Sequence, residues 1–263
     1  MQTLSPTPRE GLTSRAYQHL RYHLSIGSFA PGQRLKLRAL AASMAMSLTP
    51  VREALGQLVS EGVLMQADHR SVRVPLLGAS TYLEIAHLRC VLEGLAAEAA
   101  AQLATAEEID DMAAIHQRIV EAKLRDDYPG TVLGNRDFHL AACRLARMPV
   151  LERLVDNLWL MAGPVITTMG KGPIGYRPSR HPRKRYIEGL RQRDGAAARA
   201  AIDDDIRGNA DVYARLLPIH GDAVTMPQLL QPIGAPAAGP EASRAARTSK
   251  ASAVARQPRA GAV

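Results

Sequence analysis

Apolar side chains in the first 77 residues recur every three or four positions in three separate stretches, which is the period of an amphipathic helix. The stretches cover residues 12–26, 37–44 and 50–60. A turn at Pro31-Gly32 separates the first two, while Ser47 and Thr49 precede the third as candidate N-caps, with Pro50 at its first helical position. The pattern predicts three helices, the last two joined by a short turn.

Two short runs of β-prone residues follow the third helix, at 63–65 and 72–74, and the polar residues 67–71 separate them. This spacing predicts a small β-hairpin. Three helices followed by a hairpin form the winged variant of the helix-turn-helix. In that motif the third helix lies in the major groove of DNA and presents the side chains of its first turn to base edges.

Beyond Pro75 the chain shows longer helical stretches and no alternating strand pattern. Thr105 and Glu108 have the spacing of a capping box, which opens a helix to about residue 125 before a break at 126–129. The other predicted helices cover residues 81–103, 134–145, 150–168, 183–193 and 195–217. The sequence therefore predicts a mainly α protein, in which an all-α helical bundle follows the winged helix-turn-helix.

The distribution of charge divides the chain in the same way. Residues 1–77 carry a net charge of +5, residues 78–218 are neutral and residues 219–263 carry +3. A basic head on a neutral core is typical of a DNA-binding domain joined to a separate one, because phosphate neutralisation supplies most non-specific affinity. We expect a flexible arm at 1–11, a DNA-binding domain at 12–77, a helical domain at 78–218 and a disordered basic tail at 219–263. The tail either adds non-specific DNA affinity or is solvated without a role.

Cysteine usage and hydropathy bear on the compartment of the protein. Cys90 and Cys143 lie in apolar helical stretches without a CxxC spacing, so neither a disulfide framework nor a thiolate metal site is indicated. Residues 1–30 contain no apolar signal-peptide segment, and no run of eighteen apolar residues occurs. We expect a cytoplasmic protein with no membrane partner.

Two parts of the chain resemble a known family. The run Ser-Leu-Thr-Pro-Val-Arg-Glu-Ala-Leu at 47–55, with Arg34-Leu35, Leu40-Ala41 and Glu61-Gly62 around it, resembles the DNA-binding domain of the GntR family of bacterial transcription regulators. The helical remainder resembles the FadR-type (FCD) domain through Arg89 with Leu92-Glu93 and through residues 135–139, 149–151 and 190–194. The resemblance implies a homodimer whose FCD domain dimerises and binds an effector. It also implies that a palindromic double-stranded operator is released when a small organic acid or related metabolite binds.

The resemblance also assigns residues to the DNA interface. The positions that match operator contacts of the family are Arg38, Ser47, Thr49 and Arg52. Arginine reads guanine bidentately or clamps phosphate, and short hydroxyls donate to phosphate at a helix N-terminus. The alternative for Arg52 is a salt bridge with Glu53 or Glu61.

Two positions in the DNA-binding domain depart from the family pattern. Leu48 stands at the turn where the family commonly has an arginine. At the tip of the predicted wing, His69 and Arg70 match a basic residue that the family inserts towards the minor groove, but Ser71 replaces the adjacent glycine. The alternative for His69 is a solvated turn histidine.

The resemblance raises the question of a metal, because many FCD domains hold a divalent ion such as Zn²⁺ with one Asp or Asn and three His. Asn135 and His139 match two ligands and share one helical face at positions i and i+4. Asp205 stands in place of the last histidine and can ligate a hard cation. Arg183 stands in place of the third, two residues after His181. A metal at Asn135, His139 and Asp205 is one hypothesis, against which the charge of Arg183 argues.

The second hypothesis is that Arg183 takes over the role of the metal and pairs with an anionic effector, aided by Arg89, which matches a pocket-facing position of the family. The effector site would comprise Arg89, Asn135, His139 and Arg183. The alternative places Arg183 in a basic surface run with Arg177, Arg180, Lys184 and Arg185. Trp159 and Met161 either line the pocket or belong to the core.

The sequence predicts a transcription regulator that binds specific DNA sequences and acts as a repressor. It does not predict an enzyme. One alternative is an architectural DNA binder without an effector. The other is a metal-dependent enzyme that uses His139, Asn135 and Asp205 in an open site. The sequence holds no Ser/His/Asp arrangement, no HExxH motif and no Gly-rich phosphate loop, which leaves the enzyme without catalytic parts.

Overall fold

The computed structural model describes residues 11–68, 71–169 and 181–217. The predicted basic tail and all of the predicted arm except Gly11 lie outside the described residues. The wing-tip residues His69 and Arg70 also lie outside them, as do Arg177 and Arg180.

The N-terminal part contains the three predicted helices and the wing. The helices are α1 (Leu12–Ser25), α2 (Leu37–Ser43) and α3 (Leu48–Ser60), and the wing strands are β2 (Met65–Asp68) and β3 (Ser71–Arg73). A further strand, β1 (Arg34–Leu35), was not predicted, because two residues are too short to show an alternating pattern. It pairs antiparallel with β3, so the sheet has the order β1-β3-β2 with Arg34 opposite Arg73.

Helix α3 begins two residues earlier than predicted. Ser47 is its N-cap residue and has extended backbone angles, but its side chain accepts no capping hydrogen bond. Pro50 is the third helical residue rather than the first, and its side chain is buried. Proline is tolerated there because the first four N–H groups of a helix have no partner within it.

The core of the winged helix-turn-helix forms where the apolar faces of α1 and α3 meet. Its fully buried members include Ala16, Leu20, Leu24, Val51, Ala54 and Leu58. Val63, Leu64 and Val74 close this core beside the wing, and Leu160 from the second part of the chain also belongs to it. The apolar residues that recur with the helical period in 12–26 and 50–60 are therefore, for the most part, the residues that the structure buries.

All regular secondary structure in the described part of residues 79–217 is helical. It comprises α4 (Ala79–Leu103), α5 (Ala106–Leu124), α6 (Tyr128–Leu145), α7 (Pro149–Met169), α8 (Pro182–Arg191) and α9 (Gly195–Leu216). Helix α4 packs along α9, α8 packs against α9, and α5 packs against α6. The predicted mainly α fold, with a winged helix-turn-helix before a helical bundle, is confirmed. No helix in the described ranges is long and apolar enough to cross a membrane.

Two helix starts show what the sequence pattern did and did not reveal. The capping box of α5 is present, since Thr105 Oγ1 accepts from the backbone of Glu108 and the Glu108 carboxylate accepts from the backbone of Thr105. Helix α6, in contrast, begins six residues before the predicted start. Asp127 caps it by accepting from the N–H of Gly130 at 2.9 Å, and Pro129 lies in its first turn. The predicted break at residues 126–129 is therefore a helix start, with its proline in the first turn.

Candidate functional site

Four of the six residues predicted to contact DNA are described by the structure, and they lie on α2 and at the start of α3. Arg38 projects from α2, while Ser47, Thr49 and Arg52 lie at the start of α3, and all four are exposed. The backbone N–H groups at this helix start favour a phosphate, and the hydroxyls add further donors. Leu48 lies beside them and is 38% accessible, so it exposes an apolar side chain at the turn where the family commonly has an arginine.

The salt bridge considered for Arg52 is not formed. Its two candidate partners are engaged elsewhere, because Glu53 accepts from Thr13 Oγ1 at 2.6 Å and Glu61 accepts from the Tyr17 hydroxyl at 2.8 Å. Within the described part of the chain Arg52 has no ion-pair partner. Its guanidinium therefore extends into solvent from the first turn of α3, as a base-reading or phosphate-binding side chain requires.

A cavity of about 510 Å³ lies within the helical bundle and is lined by residues of all six of its helices, α4 to α9. Its volume is in the range of small-molecule sites. Every residue predicted for the effector or metal site lines it, namely Arg89, Asn135, His139, Arg183 and Asp205. Trp159 also lines it, whereas Met161 packs against the core of the winged helix-turn-helix.

Arg183 is buried within this cavity rather than in a surface run. Only 4% of the residue is accessible, whereas its neighbours Lys184 and Arg185 are exposed. Its Nε donates to Oδ2 of Asp205 at 2.8 Å, and its Nη1 donates to Oδ1 of Asn135 at 2.7 Å. The surface alternative for Arg183 is therefore wrong.

A second buried pair lies beside the first and is joined to it by His139. Nδ1 of His139 lies 2.5 Å from Glu93 Oε2, and its Nε2 lies 3.3 Å from Asp205 Oδ2. Glu93 also accepts from Nε of Arg89 at 2.6 Å. The Arg89 guanidinium stacks over the ring of Trp159, with 4.0 Å between its central carbon and the ring centroid. Five charged or titratable side chains thus form one continuous buried network, namely Arg89, Glu93, His139, Asp205 and Arg183.

The two carboxylates of this network are ionised at neutral pH. Burial raises the pKa of Glu93, but the charges of Arg89 and His139 outweigh it and bring that pKa down to about 2. Burial acts on Asp205 in the same sense, and Arg183 with His139 holds its pKa well below the ordinary range. Each buried guanidinium is therefore matched by one buried carboxylate.

The oxygens that would hold a metal face a guanidinium. Asn135 Oδ1 and Asp205 Oδ2 both accept from Arg183, so a cation already lies between them. In the described ranges, no group of three or more His, Cys, Asp or Glu side chains is placed to hold a metal ion. With Arg183 in place, the site does not fit a divalent ion.

His116 and His181 lie next to the cavity and were not assigned a role from the sequence. Their ring centroids are 5.4 Å apart, and within the described part of the chain neither ring nitrogen of the buried His116 has a hydrogen-bond partner. Burial and the charge of Arg183 lower the pKa of His116 to about 4. Burial, followed by Arg183 and Lys123, lowers the pKa of His181 to about 4 against the opposing effect of Asp205.

We expect acidification to destabilise the fold between about pH 6.5 and 4 through this pair. In that window the two histidines bind protons in the unfolded chain but not in the folded one. The free energy of unfolding therefore falls as the pH falls. His116→Phe keeps a ring against Phe138 and removes one titrating group. The slope of unfolding free energy against pH, from urea titrations, should decrease by up to about 1.4 kcal/mol per pH unit. An unchanged slope would contradict this assignment.

A polar junction connects the helical bundle to α1 and to the end of α3. Asp156 on α7 pairs with Arg136 of α6 and, at 2.5 Å, with Arg21 of α1. Asn157 donates to the backbone carbonyl of Glu61, the C-cap residue of α3, at 2.9 Å. Arg136 directly follows Asn135 on α6, so one helix carries both a cavity residue and a junction residue. The end of α3 is thus attached to the helices that line the cavity.

Some cavity residues could not be found from the sequence. The spacing of Arg89 and Glu93, i and i+4 on one helix, is a signal that could have indicated the buried pair. Tyr82, Tyr128 and Tyr213 also line the cavity, but each comes from a different helix, and no local pattern marks them.

Two family models match consecutive parts of the chain. The model described as "Bacterial regulatory proteins, gntR family" matches residues 12–74, and the model described as "FCD domain" matches residues 84–208. Among relatives, the HTH-type transcriptional regulator McbR of Escherichia coli (strain K12) is 34% identical over 153 residues, which are 58% of this chain and 69% of McbR. The Nta operon transcriptional regulator of Aminobacter aminovorans is 40% identical over 81 residues, 31% of this chain and 39% of that relative.

Solved structures give the same result. E. coli McbR/YncC superposes with a TM-score of 0.74 at 28% identity, covering 78% of this chain and 98% of that one. A GntR regulator from Rhodococcus sp. RHA1 has a TM-score of 0.65 at 20% identity, covering 76% and 96%, and shows the shared fold. These relatives are transcription regulators and not enzymes. The chain therefore belongs to the GntR family of bacterial transcription regulators and carries an FCD domain behind its winged helix-turn-helix.

Proposed function

We propose that this regulator is a homodimeric repressor that binds a palindromic operator through Arg38, Ser47, Thr49 and Arg52, and that an acidic metabolite in the FCD cavity controls its affinity for the operator. The observation that carries the DNA-binding half is the exposure of Arg52 in the first turn of α3, with both nearby carboxylates engaged elsewhere. His69 and Arg70 are proposed as further contacts at the wing.

The effector half rests on the network that lines the cavity. Arg89 and Arg183 are both buried, and each uses its Nε to bind a carboxylate. Within the described ranges no protein partner is found for the two terminal nitrogens of Arg89 or for Nη2 of Arg183. Guanidinium N–H groups that remain available in a small cavity favour an anion. This arrangement favours an effector-controlled regulator over an architectural DNA binder.

The decisive experiment is binding to the DNA upstream of the gene, measured by fluorescence anisotropy for the wild type and Arg52→Ala. We expect a loss of about 1–3 kcal/mol in the preference for this DNA over a scrambled duplex. The matched control is Arg118→Ala, which removes the same charge from an exposed position on α5 and should leave that preference unchanged.

Salt dependence separates the outcomes. Binding that weakens equally for both duplexes as salt rises, with no effect of Arg52→Ala on selectivity, would indicate a non-specific basic protein and overturn the proposal. Repression is tested separately, by placing the upstream region before a reporter and asking whether the protein lowers its transcription.

A further inference from the structure

We propose that Arg183 is the resident cation of the FCD cavity, so that this regulator holds a carboxylate effector through guanidinium groups and without a bound metal. The effector part rests on the proposed function, whereas the cation part rests only on the geometry of the cavity. The two parts are therefore tested separately.

The side chains around Arg183 have the arrangement of a metal centre. Glu93 fixes the ring of His139 through Nδ1, which directs Nε2 towards Asp205. A carboxylate that orients a histidine in this way is the usual support of a metal-binding imidazole. Asn135 and Asp205 bring two oxygens to the same place, where the Arg183 guanidinium bridges them. The cation between these two oxygens is therefore a side chain of the protein itself.

A divalent ion would have to displace this guanidinium. Both compete for the same two oxygens, and their like charges repel at close range. The side chains of Arg183 and Asp205 are only 5% and 4% accessible, so a displaced guanidinium would be left unpaired in the interior, which is strongly unfavourable. The site therefore excludes a divalent metal, and the Arg183 guanidinium supplies the positive charge in its place.

The rest of the cavity indicates the shape of the ligand. Tyr82 lies seven residues before Arg89 on α4, and Tyr213 lies eight residues after Asp205 on α9. At 1.5 Å per residue, the aromatic end of the cavity is roughly 10–12 Å from the charged end. The two tyrosine rings meet there, with centroids 6.0 Å apart. The geometry points to an acid whose carboxylate binds at Arg89 and Arg183 and whose apolar body extends towards the tyrosines.

The cation part is tested by zinc binding to metal-free full-length protein, measured by calorimetry and by metal analysis after desalting. We expect no stoichiometric Zn²⁺ in the wild type. In Arg183→His the imidazole joins Asn135, His139 and Asp205, and one Zn²⁺ should bind at least 100-fold more tightly than to the wild type. The added substitution His139→Ala should abolish that gain.

Two results would overturn the cation part. One is a wild type that retains one Zn²⁺ and loses it in His139→Ala, and the other is an Arg183→His variant that folds but binds zinc no better than the wild type. If Arg183→His does not fold, as judged by circular dichroism, the comparison of the wild type with His139→Ala decides alone.

The effector part is tested with phenyl-substituted carboxylates from benzoate to 4-phenylbutyrate, in EDTA. Trp159 is the only tryptophan of the chain and stacks under Arg89, so its fluorescence reports on this cavity. We expect saturable binding of at least one acid, at least tenfold weaker binding of the corresponding alcohol, and loss of binding in Arg183→Met. Equal binding of acid and alcohol, or no binding of any acid, would overturn it. Neither test involves DNA, so their failure is distinguishable from the failure of operator binding.

Discussion

Asp205→Ala is expected to lower the free energy of unfolding by about 3–5 kcal/mol, as measured by urea denaturation. The carboxylate accepts from Arg183 at 2.8 Å and lies 3.3 Å from Nε2 of His139, and all three side chains are buried. Removing it leaves the guanidinium of Arg183 with Asn135 as its remaining hydrogen-bond partner among the described residues and with the ring of Phe138. The cost arises from this uncompensated buried charge rather than from the lost contact alone.

The chain offers a matched control for this substitution in the adjacent residue. Asp204 also pairs with an arginine, Arg185, but its side chain is 56% accessible, so Asp204→Ala should change stability by only about 0–1 kcal/mol. The double variant Asp205→Ala with Arg183→Leu removes both charges and should be more stable than Asp205→Ala alone. Equal losses for Asp204→Ala and Asp205→Ala would show that the network does not act as a buried charge cluster.

The elements that the sequence revealed are those whose periodicity is also a periodicity of burial. Residues 12–26 and 50–60 alternate with the helical period because one face packs into the core, and the structure places both helices within two residues of the prediction. Strand β1 and the first six residues of α6 were not predicted, for different reasons. The strand is held by pairing with β3, which is distant in sequence, and the helix turn depends on the cap at Asp127.

The candidate site was predictable where one helix carries the signal. Asn135 and His139 lie four residues apart on α6, and the structure brings both to the cavity, together with Arg89, Arg183 and Asp205. The environment of Arg183 was not predictable. The sequence places this residue two positions before Arg185 in a basic run, and only the packing of α8 against α9 separates the buried guanidinium from the exposed ones. The role of Glu93 depends likewise on a contact 46 residues away.

Helix α7 couples the two parts of the chain because its residues face both. Trp159 and Ile166 line the cavity, whereas Leu160 belongs to the core of the winged helix-turn-helix. At the end of α1 the backbone approaches α7 so closely that a Cβ at Gly27 would lie 2.1 Å from Oγ1 of the buried Thr167. Gly27 also has a φ of +68°, which side-chain-bearing residues rarely adopt.

Gly27→Ala is therefore expected to cost at least about 2 kcal/mol, from the strained backbone together with the overpacked contact. Gly62→Ala is the matched control, because Gly62 has a φ of +72° but nothing within 4 Å of its Cβ. The difference between the two variants in urea denaturation isolates the contact with Thr167. A deficit in Gly27→Ala no larger than in Gly62→Ala would mean that the side chain of Thr167 gives way without cost, so that this contact does not hold the end of α1 against α7. In that case the packing of α1 on α7 would rest on Leu160 in the core and on the ion pair of Arg21 with Asp156.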